Sequence, residues 1–391
     1  MKKPHKLLPF TAAGMVTAAI CITGAVPVAA AFSMTAQAAQ LSDYDEEARA
    51  RLQDNVMEYG ELEDLVAVYN PVVKSANAAM DDQLAELETA VDDLGTNAGL
   101  LRRTADSLKQ AGNPYYQVYE QAAAGVDAAV KGYEDGLEKA RSHSATRSLR
   151  YVEYQLTSVT QMLMANYQTL TAQQELAAKS KELAEAAYQS TLTRKDLGLA
   201  TEADVLSSQK GVEQAANGVA AIETMITQIR QNLCMMTGWS YDAQPEIRRI
   251  SAMDLSYIDS IKLEEDKQKA IGNNGDLISQ RSGSSAGSSM KERGVRSRSI
   301  DEAEQQLCME LEQKYQMIQQ RKLEYQAANA AMESASTAKH AADTKYQTGM
   351  IGRLEYLQAE MAYLSKMAAK EQADMALLQA VNDYQWTVRG L

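Results

Sequence analysis

Two stretches of the 391-residue chain contain no proline, one covering residues 115–244 and the other 246–391. Proline and glycine punctuate sheet proteins and βα repeats every few residues, and these stretches largely lack that punctuation. Ala, Gln, Glu, Lys, Leu and Met dominate them, all good helix formers. Aromatics make up only 6% of the chain, and both phenylalanines, Phe10 and Phe32, lie before residue 40. A few very long helices fit this pattern, and a sandwich or a conventional enzyme core does not. The expected fold class is all-α, with long antiparallel coiled-coil hairpins.

The N-terminus reads as an export signal. Lys2, Lys3 and Lys6 precede an apolar run from Leu7 to about Phe32, and Ala36-Gln37-Ala38 offers small residues to a signal peptidase. A retained membrane anchor is the alternative. Removal of residues 1–38 makes the formal charge three units more negative than −13. Such an acidic, exported chain is not expected to bind nucleic acid. Cys234 and Cys308 remain, and a single disulfide and two buried thiols fit the sequence equally well.

An internal repeat organises the rest. Gly198, Asp204 and Leu206 recur at an offset of 151 as Gly349, Glu355 and Leu357. The same offset pairs Leu149 with Ile300, each following a Ser-rich stretch: Ser142–Ser148 and Ser282–Ser299. Thr237-Gly238 pairs with Arg389-Gly390 at an offset of 152. The reading is a short helix over about 43–58, then helices over 71–109 and 115–140. Long helices over 149–196 and 300–347 follow, each turning at glycine into a return helix (202–236 and 353–388). The first return helix carries a heptad seam: Val205, Ser208, Val212, Ala215, Val219, Ile222, Ile226, Ile229, Leu233 and Met236. A second seam runs Leu354, Leu357, Met361, Leu364, Ala368, Met375 and Leu378, interrupted by Glu371. Domains are assigned as residues 1–38 signal, 39–239 first repeat, 240–261 linker and 262–391 second repeat, with a Ser/Gly-rich loop at 282–299.

At these residues the chain resembles the TolC-type outer membrane efflux proteins. Asn70-Pro71, preceded by Leu62-Glu63-Asp64-Leu65, is similar to that family's repeat opening, with a weaker copy at Asn273-Asn274. Leu233 through Gly238-Trp239 is similar to its repeat closing. Tyr346, Gly349, Glu355 and Leu357 match its hairpin-tip motif, and the first repeat has Lys195 at the Tyr position. The resemblance covers about residues 57–391. It implies two tandem hairpin repeats, a homotrimeric tunnel, and docking to a periplasmic adaptor (membrane fusion) protein and an inner-membrane transporter. It implies an adaptor-docking tip at Leu197, Gly198, Leu199, Gly349, Met350 and Ile351. It also implies a tunnel constriction or gate at Asp204, Tyr346, Arg353 and Glu355. It places the chain in the cell envelope, at the outer membrane by family.

The chain departs from that family where membrane strands are expected. Residues 115–148 read as helix and a Ser-rich turn, and 282–299 as a flexible linker. Neither shows the roughly ten-residue alternation of a barrel strand. The expectation is therefore a helical tunnel protomer without the barrel. No enzyme, cofactor or metal is expected, since His143 and His340 have no neighbour at ligand spacing. The alternative function is a secreted structural or binding coiled coil without transport activity.

Overall fold

The computed structural model of the protein describes residues 44–111, 113, 115–283 and 289–391. The signal assigned to residues 1–38 lies outside the described residues, as does the centre of the Ser/Gly-rich loop. Helices dominate: α1 (Glu46–Leu52), α2 (Leu62–Tyr69), α3 (Pro71–Gln110), α4 (Tyr116–Ala140), α5 (His143–Asp196), α6 (Glu202–Met236), α7 (Leu255–Ser260), α8 (Leu263–Asn273), α9 (Gly275–Ser282), α10 (Met290–Gln347) and α11 (Arg353–Arg389). Among the described residues the only strands are β1 (Val56–Met57) and β2 (Glu246–Ile247), which pair in parallel. No helix of the described residues is long and apolar enough to cross a membrane.

The heptad arithmetic explains the long helices. Every position of the α6 seam from Val205 to Met236 is buried or half-buried, and the residues between are mostly exposed. Antiparallel α3 and α4 pair in the same way. Leu87, Leu94, Ala98, Leu101 and Ala105 face inward from α3, and Ala123, Val126, Val130 and Leu137 from α4. A helical hairpin therefore stands where the resemblance would put strands. At 1.5 Å per residue, α3 is about 60 Å long and α10 about 87 Å.

Three expectations need correction. The first short helix covers Glu46–Leu52, and Val56–Met57 beyond it is strand. Helix α5 starts at His143, so most of the first Ser-rich stretch is helical. Helix α10 starts at Met290, ten residues before Ile300. There the Ser289 side chain accepts from the Glu292 N–H, and the Glu292 carboxylate accepts from the Ser289 N–H. That capping box satisfies two donors that the first turn would otherwise leave unpaired. The segment assigned as linker also holds β2 and α7, so it is a built part of the fold.

The two repeats close in the same way. Gly238 and Gly390 both have positive φ, 76° and 102°. Each lies against the start of its own repeat, where a Cβ would come 2.6 Å from Tyr69 Cβ at Gly238 and 2.8 Å from the Asn273 carbonyl carbon at Gly390. Asn70 caps α3 through Oδ1, which accepts from the Val72 N–H, and its Nδ2 donates to the Met236 carbonyl at 2.8 Å. In the second repeat Asn273 Nδ2 donates to the Val388 carbonyl at 2.8 Å, and neighbouring Asn274 supplies the cap. Asn70 thus stitches the opening of a repeat to its closing. Asn70→Ala removes a cap and a buried long-range bond, and is expected to cost about 2–3 kcal/mol by thermal or urea unfolding.

The hairpins assemble side by side. Helix α6 packs on α5, α5 on α11, and α11 on α10. Two core clusters flank the C-terminal half of α11. Met375 and Leu378 pack with Leu62, Leu65, Met164 and Leu233, while Leu377, Val381 and Tyr384 pack with Ile258, Leu307, Leu311 and Ile318. This hub is the thick part of the molecule. Beyond it, toward the glycine turns, the four helices form a single layer in the order α6–α5–α11–α10.

Candidate functional site: the hairpin turns and the open edges

Each long hairpin reverses at a left-handed glycine, Gly198 and Gly349, both with φ of 73°. The backbone around them repeats bond for bond. Gly198 N–H donates to Lys195 O and Leu199 N–H to Arg194 O, and Gly349 N–H to Tyr346 O and Met350 N–H to Lys345 O. This is the bonding by which a glycine ends a helix and satisfies its last carbonyls. Nothing lies within 4 Å of a Cβ built at either glycine, so both turns project into open space.

The apolar residues around the turns are exposed: Leu197 at 69%, Leu199 at 66% and Met350 at 75%. Ile351 is half-buried, so Met350 rather than Ile351 is the outward residue of the second turn. The turns are also staggered. Arg353, the first residue of α11, reaches Glu182 at 3.3 Å, and Lys179 reaches Glu360 at 3.1 Å. Measured along the helices, the Gly198 turn therefore extends roughly 15–20 Å beyond the Gly349 turn. The six tip residues form two apolar points at different heights.

The four gate candidates are not brought together within the chain. Asp204 forms a capping box with Thr201, accepting from its N–H at 2.8 Å. Tyr346 stacks on Tyr356, with centroids 4.5 Å apart and ring planes at 14°. Arg353 pairs with Glu182. Glu355, the repeat counterpart of Asp204, is exposed and follows an N-cap glycine, Gly352, which has no side chain to complete a box. What links the two hairpins here is a charge ladder that the sequence did not reveal, formed by Lys179, Glu182, Arg353 and Glu360. Of its contacts, only the Lys179–Glu182 pair, 2.7 Å apart, has a helical spacing that could have drawn notice. Hydrogen bonding to Lys179, with Arg353 nearby, holds the Glu182 carboxyl below its ordinary value of 4.5, and the same bonding raises the Lys179 ammonium. A carboxyl lowered in the folded state contributes above its unfolded pKa and loses that contribution as pH falls through the folded value. The α5–α11 contact near the turns is therefore expected to loosen as pH falls below 4.5, read as faster amide hydrogen exchange in residues 176–186 relative to the rest of α5 than at pH 7.

The layer has two open edges. Beyond the hub, the main packing partner of α6 is α5 and that of α10 is α11. Each presents a second heptad stripe that carries no charge. On α10 it runs Met309, Gln313, Gln316, Gln320, Leu323, Ala327, Ala330, Ser334, Thr337 and Ala341, all exposed. On α6 it runs Ser207, Gly211, Gln214, Gly218, Ala221, Met225, Gln228, Asn232 and Met235, all exposed except half-buried Gly211. Charged residues such as Glu310, Glu312, Glu324 and Glu333 lie beside the α10 stripe, never on it. An exposed helix face has no need to exclude charge. A face that meets another helix does.

No family model matches the chain, and no curated protein matches it in sequence. Among solved structures, the outer-membrane channel OprN is 14% identical, with 89% of this chain and 93% of that chain covered and a TM-score of 0.46. The CmeC outer membrane channel of Campylobacter jejuni is 14% identical, with 85% of each chain covered and a TM-score of 0.44. The outer membrane protein VceC of Vibrio cholerae is 13% identical, with 85% of this chain and 96% of that chain covered and a TM-score of 0.45.

Proposed function

We propose that the chain is one stave of a TolC-like efflux or secretion conduit in the cell envelope, closed by three copies around a common axis. The observation that carries this reading is the single layer of four helices with two open, charge-free edges. One chain cannot close such a layer, and edge-to-edge packing of α6 on the next copy's α10 would. No covalent chemistry is involved: the tunnel is a passive passage that opens when the hairpins part.

The exposed leucines and methionine at the two turns are the proposed contacts for a periplasmic adaptor, which in turn engages an inner-membrane transporter. Exposed apolar residues at the far end of a thin shaft suit a docking surface better than a solvated one. Glu355, free of a capping partner, is the proposed constriction: three copies facing one axis would repel one another and favour cations or neutral solutes. Asp204 and Tyr346 flank it, and Arg353 holds the neighbouring hairpin through Glu182.

Cells lacking the gene test this directly, by accumulation of a panel of fluorescent efflux substrates. Deletion is expected to raise accumulation several-fold, and the intact gene to restore efflux. Leu199→Asp combined with Met350→Asp is expected to abolish complementation, with circular dichroism unchanged. Glu355→Ala is expected to complement but to leak. Equal accumulation with and without the gene would favour a structural coiled coil that has no transport role.

A further inference from the structure

Glu371 interrupts the otherwise apolar seam of α11, and it is 3% exposed. Two groups meet its carboxylate. Gln168 of α5 donates to one oxygen, and Arg249 pairs with the other. The Gln168 amide also clasps the backbone at Ile250, accepting from its N–H at 2.7 Å and donating to its carbonyl at 3.4 Å. One turn along α11, buried Asp374 accepts from the Met253 N–H at 3.3 Å and pairs with Lys370 at 3.2 Å. A strap of chain, residues 249–253, is therefore pinned across α5 and α11 at one height by polar groups that the seam itself does not need.

On the other side of the cluster from the turns, Trp386 of α11 donates to Gln161 of α5 at 2.9 Å. Toward the turns, apart from the part-exposed Lys179–Glu360 and Arg353–Glu182 pairs, the packing itself specifies height poorly. From Ala172 to Asp196 no residue of α5 is buried. Its seam there is built from small residues such as Ala177, Ala184 and Ala187. Small knobs fit many holes, so sliding one helix by a heptad along the other costs little on that stretch. A buried polar group within an apolar seam has the opposite property, because any other register leaves it unpaired.

We infer that the Gln168–Glu371–Arg249 cluster is a register lock: it fixes the axial alignment of the two repeats at the hub and thereby sets which residues face each other at the turns. Glu371 lies roughly 27 Å along α11 from Arg353, and the lock decides that Arg353 meets Glu182. These are positioning residues for the tip.

The test replaces the lock by apolar groups of similar size. Spin labels at exposed Gln189 of α5 and Gln358 of α11 report the register, in a background of Cys234→Ala and Cys308→Ala and diluted with unlabelled protein. The unaltered cluster is expected to give one distance. Gln168→Leu with Glu371→Leu is expected to keep full helicity and an undiminished melting temperature, yet to add populations displaced by about 10 Å, one heptad of helix. Glu371→Gln, which still bonds Gln168, is expected to keep the single distance. A single unchanged distance in the double variant would overturn the lock. Loss of folding in the double variant would overturn it too, by making the cluster a source of stability rather than of register.

Discussion

Gly238→Ala is expected to lower the stability of the chain by about 2–5 kcal/mol, while Gly198→Ala costs about 1–2 kcal/mol. Both glycines have φ near 75°. Forcing a Cβ into the left-handed region accounts for about 1–2 kcal/mol at either site. The sites differ in what the methyl group meets: open space at Gly198, and the backbone and Cβ of Tyr69 at Gly238. Backbone cannot move aside as a flexible side chain does, and overpacking of this kind adds about 1–3 kcal/mol. Gly390→Ala belongs with Gly238 and Gly349→Ala with Gly198, so chemical denaturation of four variants should give two pairs. Equal losses at all four would mean that the repeat closings are not the tight joints described.

The second large effect concerns the edges. Leu323→Glu with Ala330→Glu places two carboxylates on the charge-free stripe of α10. Within one chain both positions are exposed, and such substitutions usually change stability by no more than about 0.5 kcal/mol. In a closed ring each would be buried against the next copy's α6 without a partner, at a cost of several kcal/mol per contact. The expected result is a folded, fully helical monomer at concentrations where the unaltered chain assembles. Gly218→Glu on α6 should do the same from the other side of the seam. Glu324→Gln, beside the stripe, should leave assembly intact. Sedimentation velocity separates these outcomes.

Much of this architecture is legible in the sequence because it rests on local periodicity. The α6 seam is written in ten residues spaced by threes and fours, and the structure turns all ten inward, buried or half-buried. The reversals are written in Gly198 and Gly349, and the repeat closings in Gly238 and Gly390, because left-handed backbone leaves few other choices. The starts of α5 and α10 were harder to place. Serine suggests a loop, yet Ser289 with Glu292 three residues later is a capping box, and that spacing outweighs the serine content that follows. Two-residue strands such as β1 and β2 carry no readable alternation.

The site was less legible for a different reason. Tip glycines follow from local geometry, but the ion pairs between hairpins join residues more than 170 positions apart, and no spacing encodes them. The resemblance groups Arg353 with Asp204, Tyr346 and Glu355, and within the chain it faces Glu182. Glu371 looked like a flaw in a seam until the strap at 249–253 supplied its partners. Polar residues that break a pattern are set by tertiary neighbours, which a single helix does not report.

The central claim is that one chain is an incomplete wall and that copies of it close a tunnel. Native mass spectrometry of the chain without residues 1–38, across a range of micromolar concentrations, measures this most directly. A species of three chains, lost on Leu323→Glu with Ala330→Glu, is the predicted result. A monomer that persists at the highest concentration, with both edges left open to water, would contradict the account.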